Sequence, residues 1–406
     1  MSTKNYQQVR STVMKILVDG IFFQLAQSGI SRVWSTLLTK LANKSDIEVV
    51  CLDRGGAPII EGIRLIPFPS YTFSATAAES FLLQDICNQV GADVFASTYY
   101  TSPVETPSLM VVYDMIPEVM EFDLKHRIWM EKQVSIVHAR QFVCISNSTA
   151  SDLQRFYPTI DNNQIHIGYC GYDPEHFFPA SQRGRSEAVS SKLLPSRNAD
   201  RPYVLLVGSR EQHKSYKNCR LFFSALKQMP VIDFDVICVG GEPDIQPDFV
   251  NGLSKMCSVD LLRVSDAELG ALYRGAAALV YPSLYEGFGM PVLEAMACGC
   301  PVITSDQSSL PEVGGNAPIY ISGRDVREMI QALNSVRVQE VRSTAIIKGL
   351  DQARKFSWDN FADIFIHAAK QTQKMSHKKE YIDFTKKYSQ IRRIQKEVDV
   401  DVYVDM

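Results

Sequence analysis

The 406-residue chain reads as an α/β protein built from two doubly wound parallel-sheet domains. Three observations predict this. Short apolar, β-branched runs alternate with helical stretches, the pattern of a parallel sheet covered by helices. The first run, Lys15-Ile-Leu-Val-Asp-Gly20, leads through a glycine-containing turn into a helix, which is how such a sheet begins. The length also exceeds what one core fills, at roughly 100–200 residues per domain.

Composition narrows the class. With 46% apolar and 10% aromatic residues the chain is globular, and a formal charge of −3 predicts neither a nucleic-acid partner nor an acidic tail. Nine cysteines run from Cys51 to Cys300 without a Cys-x-x-Cys pair, which fits a reducing, cytoplasmic compartment. Cys298 and Cys300 would need two further ligands to hold a metal, and none lies nearby, so no metal site is expected. No apolar run approaches the ~18 residues of a membrane span, and the polar stretch from Met1 to Val13 reads as a frayed leader.

In the first half, Ser28-Gly29-Ile30-Ser31-Arg32 opens a helix with apolar positions at Val33, Leu37, Leu38 and Leu41. Strands are expected at 47–52, 63–67, 93–97, 109–113, 142–146 and 165–168. Ligands of an open parallel sheet gather at the carboxyl ends of its strands, which places Thr98, Tyr99, Tyr100 and Asp114 at a crevice. Asn147 and the hydroxyls after it supply caps for a helix. Residues 181–201, rich in Ser, Arg and Asn, read as a linker between an N-terminal domain, 1–180, and a C-terminal domain, 202–358.

The second sheet starts at Tyr203 to Val207, followed by Gly208-Ser209-Arg210 and, after a polar stretch, Lys217. Strands are expected at 234–241, 276–281 and 301–304, and residues 261–266 are read as beginning a helix that runs through Leu269, Leu272 and Tyr273. A helix over 359–374 carries Phe361, Ile364 and Phe365 on one face. In the tail, 375–406, Tyr381, Phe384, Tyr388 and Ile391 recur at helical spacing among Lys378, Lys379, Lys386, Lys387, Arg392 and Arg393. Such a basic amphipathic helix has three destinations: packing on the N-terminal domain, a protein partner, or peripheral contact with an anionic membrane through 375–396.

The most informative stretch is Tyr281 to Cys300. Gly287 and Gly289 give a loop whose backbone can approach a ligand closely. Pro291 then suits a helix start and Gly299 its end. The amides and dipole at that helix start favour an anion. Glu286 and Glu294 stand eight positions apart, about two helical turns. Carboxylates accept from hydroxyls, which sugars and ribose present in pairs. Either glutamate alone fits an ordinary solvated position. Together, in the unbroken run from Pro282 through Val302 and on to Pro311-Glu312-Val313, they resemble the retaining GT4-type glycosyltransferases, whose signature is Glu-x7-Glu in this setting.

The resemblance implies a GT-B fold, with two Rossmann-like domains facing across a cleft and the helix 359–374 crossing back to the first. It implies transfer of a hexose, with retention, from a UDP- or GDP-linked sugar to a hydroxyl of a glycan, glycolipid or other acceptor. No cofactor is implied. Residue by residue, Gly29 and the Ile30 backbone would face the donor diphosphate, with Arg32 a lesser candidate, and Arg210 and Lys217 would neutralise the leaving group. Lys214 competes with Lys217, because the spacing is longer than in most relatives. The backbone at Arg263 and Val264 would meet the base. Glu286, Gly287, Phe288, Gly289 and Met290 would orient the donor sugar, Glu294 would hold the ribose, and Asp114 would touch an acceptor hydroxyl. The catalytic set is thus Glu286, Arg210, Lys217 and Asp114.

One position departs from the pattern. Many relatives carry histidine where this chain has Tyr113, and a phenol does not take up a proton near neutral pH. This keeps a second reading open, a GT-B protein that binds a nucleotide sugar without transferring it, or one acting as an epimerase or hydrolase. A nicotinamide oxidoreductase would need G-x-G-x-x-G after the first strand, where Asp19-Gly-Ile-Phe-Phe23 stands instead. A metal-dependent transferase would need an Asp-x-Asp at a nucleotide pocket, and Asp233-Phe-Asp235 falls at a buried strand start.

Overall fold

The computed structural model describes residues 13–26, 29–72, 77–180 and 201–402. The expected leader apart from Val13, and the expected linker apart from Arg201, lie outside the described residues. The chain forms two α/β units, one comprising 1–144, 152–168 and 358–406, the other 145–151 and 169–357.

The first unit holds a seven-stranded sheet in the order β3-β2-β1-β4-β5-β6-β7. The strands are β1 (Met14–Asp19), β2 (Ile47–Asp53), β3 (Arg64–Pro67), β4 (Val94–Ser97), β5 (Ser108–Val112), β6 (Ala139–Cys144) and β7 (Ile165–Ile167), all paired in parallel. Between them run α1 (Ile21–Leu25), α2 (Gly29–Ala42), α3 (Ala77–Val90), α4 (Ile116–Val119), α5 (Arg127–His138) and α6 (Asn147–Phe156). Leu17, Val50, Leu52 and Phe95 from the strands pack on Leu83 and Cys87 of α3, as expected of strands apolar on both faces. At the end of β1, buried Asp19 accepts two bonds from Arg54, at 2.6 and 2.8 Å, and one from Thr101 Oγ1 at 2.7 Å. Arg54 also pairs with Glu79 at 2.5 Å. The buried charges are therefore compensated within the unit.

The second unit holds six parallel strands in the order β10-β9-β8-β11-β12-β13. They are β8 (Tyr203–Val207), β9 (Asp235–Val239), β10 (Val259–Leu262), β11 (Ala278–Tyr281), β12 (Val302–Ser305) and β13 (Ile319–Ile321). The helices are α7 (Cys219–Gln228), α8 (Pro247–Val250), α9 (Asp266–Gly275), α10 (Met290–Ala297), α11 (Leu310–Gly314), α12 (Val326–Ser335) and α13 (Gln339–Ala353). Phe222, Phe223 and Leu226 of α7 and Met329 and Leu333 of α12 meet Val236, Val280 and Ile303 in its core. One expectation is corrected here. Residues 261 and 262 end strand β10, and the helix starts only at Asp266, where Ser265 and Glu268 form a reciprocal capping box.

The chain ends in α14 (Trp358–Met375) and α15 (Lys379–Val402), both in the first unit. Phe365 of α14 meets the Trp34 ring edge-on at 5.8 Å, and Asp359 and Asp363 pair with Lys40 and Lys44 of α2 at 2.7 and 2.9 Å. On α15, Tyr381, Phe384 and Tyr388 stack in series, with Arg140 4.1 Å from the Phe384 ring centroid. The Tyr381 hydroxyl donates to Glu105 O at 2.8 Å, and Arg392 reaches Ser80 Oγ and Glu131 at 3.0 and 3.1 Å. Tyr381 and Tyr388 are thus buried on the first unit and Phe384 half-buried, leaving Ile382, Ile391, Ile394 and Val398 exposed. Among the described residues no helix is long and apolar enough to cross a membrane.

Candidate active site

In the second sheet the chain runs outward from β8 through β9 to β10, then returns to lay β11 on the other side of β8. The loops after β8 and β11 therefore diverge at a topological switch point, where open α/β sheets bind ligands. Lys217 follows β8 and Glu286 follows β11.

These two side chains meet. Lys217 Nζ lies 2.7 Å from Glu286 Oε1 and 2.9 Å from Oε2, with the Tyr281 hydroxyl at 3.5 Å. Lys214 instead lies 3.5 Å from Glu211, three residues back on its own loop. Local backbone directs Lys217 to this place. Asn218 adopts left-handed φ, +55°, at the start of α7, and its side-chain amide donates to the carbonyls of Pro282 and Gly323 at 3.1 and 2.8 Å. Leu284 N in turn donates to Tyr216 O at 2.7 Å, so the two loops are tied together on either side of the ion pair. Burial pulls the Lys217 ammonium down, but Glu286 more than offsets this and holds it above its ordinary range.

Glu286 to Gly289 is held from beneath. Ser309, fully buried, lies 2.8 Å from Glu286 O and 2.9 Å from Phe288 O. Ser308 Oγ sits 2.6 Å from Glu286 O and 3.4 Å from Glu286 N, and Thr149 Oγ1 donates to Gly287 O at 3.2 Å. Gly289 caps α10 at φ +104°, and a Cβ there would stand 2.8 Å from Leu310 Cδ2, so the turn requires glycine. The Phe288 ring is flanked by Tyr169 and Phe356, at 6.3 and 5.8 Å. Met290 and Pro291 open α10, where Pro291 has no N–H to place and the amides of Val292 and Leu293 donate back to Gly289 O at 3.0 and 3.4 Å. The reading from sequence missed Thr149, Ser308 and Ser309. The signal available was two adjacent hydroxyls between β12 and Pro311, which by themselves read as helix caps.

Glu294 lies mid-way along α10, 3% exposed, with the Tyr273 hydroxyl 3.4 Å from Oε2. Arg263 is exposed after β10, its Nη2 3.4 Å from Gly241 O, and Val264 beside it is half-buried. Arg210 lies differently from the expectation that its cation faces a diphosphate. Its guanidinium turns inward to the carbonyls of Gly208, Gly240 and Glu242, at 3.1, 2.8 and 2.6 Å. The two glycine turns after β8 and β9 present carbonyls that need donors, and the planar fork of arginine supplies several at once. Glu242 fixes the same loop through Ser209 Oγ and Arg210 N, at 2.5 and 2.6 Å. The structure thus brings Lys217 and Glu286 together and gives Arg210 to the scaffold beside them.

Gly29, Ile30 and Asp114 belong to the first unit. Gly29 and Ile30 form the first turn of α2. Asp114 follows β5, and its carboxylate accepts Ile116 N at 2.9 Å, the turn contact expected of an Asp before a short helix. Tyr113 is buried, with its hydroxyl accepting from the Trp34 indole and 3.5 Å from Thr98 O.

Residues 201–337 match the sequence profile of the family described as glycosyl transferases group 1. The O-antigen chain mannosyltransferase B of Escherichia coli is 36% identical over 174 residues, which span 41% of this chain and 45% of that protein. The O-antigen chain mannosyltransferase RfbU of Salmonella typhimurium is 24% identical over 303 residues, 73% of this chain and 78% of that one. Among solved structures, the sucrose-phosphate synthase of Thermosynechococcus elongatus superposes with a TM-score of 0.69 at 19% identity, over 88% of this chain and 98% of that one, a likeness of fold. The sequence likeness to group 1 glycosyltransferases thus lies over residues 201–337, the part of the second unit that carries the Glu-x7-Glu loop at the switch point, and the two parallel-sheet units have the GT-B fold.

Proposed function

We propose that the protein transfers a hexose from a nucleotide-diphosphate sugar to a hydroxyl of a glycan or glycolipid acceptor, with retention of configuration. The observation that carries this reading is the Lys217–Glu286 pair at 2.7 Å, set between the switch-point loop of β8 and the start of α10. A cation there suits the charge that develops on a departing diphosphate, and a cation aimed at developing charge stabilises the transition state more than the ground state. The carboxylate and the amides of Gly287, Phe288, Gly289 and Met290 suit the hydroxyls of the transferred sugar. Glu294 suits the ribose and the backbone near Arg263 and Val264 the base, UDP and GDP both being compatible. Gly29 and Ile30 would meet the diphosphate, and Asp114 an acceptor hydroxyl. Arg210 supports the reaction as the brace of the Lys217 loop. The step we favour is front-side displacement, in which the departing phosphate oxygen takes the acceptor's proton. The two mannosyltransferase relatives make mannose the first donor sugar to try.

Tyr113 favours a second reading, nucleotide-sugar binding or hydrolysis without transfer, because its buried phenol is engaged with Trp34 where many relatives carry a histidine. One experiment separates the two. UDP- and GDP-linked glucose and mannose are offered with oligosaccharide acceptors, beside a donor-hydrolysis control and an arm in EDTA. Transfer exceeding hydrolysis, and persisting in EDTA, is the expected result. Hydrolysis alone would favour the second reading, and complete loss in EDTA would overturn the metal-free mechanism. Membrane contact through 375–396 would use Ile382, Ile391 and Ile394, which the packing of α15 leaves exposed. Recovery of the protein with anionic vesicles in the same assay tests it.

A further inference from the structure

Lys217 has three ammonium protons, and the structure directs them at Glu286 Oε1, Glu286 Oε2 and the Tyr281 hydroxyl, at 2.7, 2.9 and 3.5 Å. The two side chains are only 20% and 10% exposed, so each is the principal compensation for the other's charge. On the donor reading above, on which this inference rests, a diphosphate and a hexose each claim one member of that pair.

We propose that the Lys217–Glu286 ion pair is a latch that couples the two halves of the donor. The diphosphate must draw the ammonium away from the carboxylate, and only then do the oxygens of Glu286 become acceptors for the hexose hydroxyls. Lysine is suited to this exchange, because a point charge on a flexible four-carbon stem can change partners without moving the backbone. The backbone here is fixed by Asn218 on one side and by Ser308 and Ser309 on the other. Two consequences follow. Free hexose competes poorly for the site without a diphosphate. The carboxylate, although it belongs to the sugar subsite, opposes diphosphate binding.

The second consequence gives an unusual sign to a substitution. Glu286→Gln keeps the shape of the side chain and removes its hold on the ammonium, so it should tighten diphosphate binding. Affinities of the full chain for UDP and GDP are measured by titration calorimetry for the wild type, Glu286→Gln, Lys217→Gln and the double variant, with thermal unfolding to confirm each fold. Whichever nucleotide binds the wild type is expected to bind Glu286→Gln about tenfold tighter, the scale of one charge-assisted hydrogen bond. With Lys217→Gln already present, the same substitution should change affinity by less than about twofold, since no ammonium remains to be released. Equal or weaker binding to Glu286→Gln overturns the latch. So does tightening that persists undiminished without Lys217, which would be the general effect of removing a negative charge near an anion. If Glu286→Gln does not fold, the wild type carries the test: free glucose or mannose should bind at least about tenfold tighter at saturating diphosphate, and unchanged affinity overturns the latch. Failure of the wild type to bind either nucleotide would remove the donor reading itself, whereas binding without these couplings removes the latch alone.

Discussion

Glu286 and Glu294 carry the same functional group in different surroundings. Glu286 shares its charge with the Lys217 ammonium on a facing loop, whereas Glu294 sits within α10 near the Tyr273 hydroxyl. Glu294→Ala is therefore expected to weaken donor binding about tenfold with turnover little changed, the loss of one charge-assisted contact. Glu286→Ala should lower kcat about a hundredfold with a smaller effect on donor KM, the loss of a group that acts as charge develops. Steady-state kinetics with the active nucleotide sugar check this, and matching changes in both constants for both variants would overturn the division of roles. The pair was legible in the sequence because its spacing and glycines are local. Which of Lys217 and Lys214 meets Glu286 could not be read from sequence, because it depends on the left-handed turn at Asn218. Arg210 was assigned to the leaving diphosphate, and nothing in Gly208-Ser209-Arg210 shows that Gly240 and Glu242 bring their carbonyls to its guanidinium.

Among the elements of the second sheet, interior strands announce themselves and edges do not. β8, β9, β11 and β12 are mostly buried and read as apolar runs, but β10 and β13 lie at the two edges of the sheet and are only partly buried. Val259-Asp-Leu-Leu262 merges in sequence with the helix after it, and only its pairing with β9 marks it as a strand. The amphipathic character of α15 was equally legible, but not its destination, which depends on side chains from α3 and α5 and on Glu105 and Arg140. Beneath α15, His138 is fully buried, with Nδ1 2.7 Å from Ser108 Oγ and the rings of Phe384 and Tyr388 at 6.1 and 4.9 Å. Burial, with Arg140 and Arg392 nearby, pushes its pKa down from 6.5 to about 3. A histidine kept neutral in this way contributes its full stability above pH 6.5 and loses it as pH falls toward 3. Between pH 6.5 and 4 the unfolding midpoint of the wild type should therefore fall more steeply than that of His138→Gln, and parallel curves in differential scanning calorimetry would refute this assignment.

At the scale of the molecule, length and alternation predicted two parallel-sheet units, and the motif predicted which one carries the paired glutamates. That the helix 359–374 returns to the first domain was implied only by the family resemblance, because the contacts that join the three segments of that unit are between residues far apart in the chain. Phe361 of α14 lies against Gly168, where a Cβ would stand 3.1 Å from its ring, and Phe365 covers Trp34. A fragment of residues 1–180 lacks both terminal helices and leaves this apolar surface open. It is expected to bind hydrophobic dyes and to unfold without a sharp transition, and a cooperative transition with native near-ultraviolet dichroism would contradict this. The same segmentation bears on biosynthesis. Residues 1–168 leave the ribosome before residues 358–402, and the cover that α2 and α3 give their sheet is completed only when α14 and α15 follow. The unit made first is thus finished last, and its exposed apolar face must be protected from aggregation throughout the synthesis of the other.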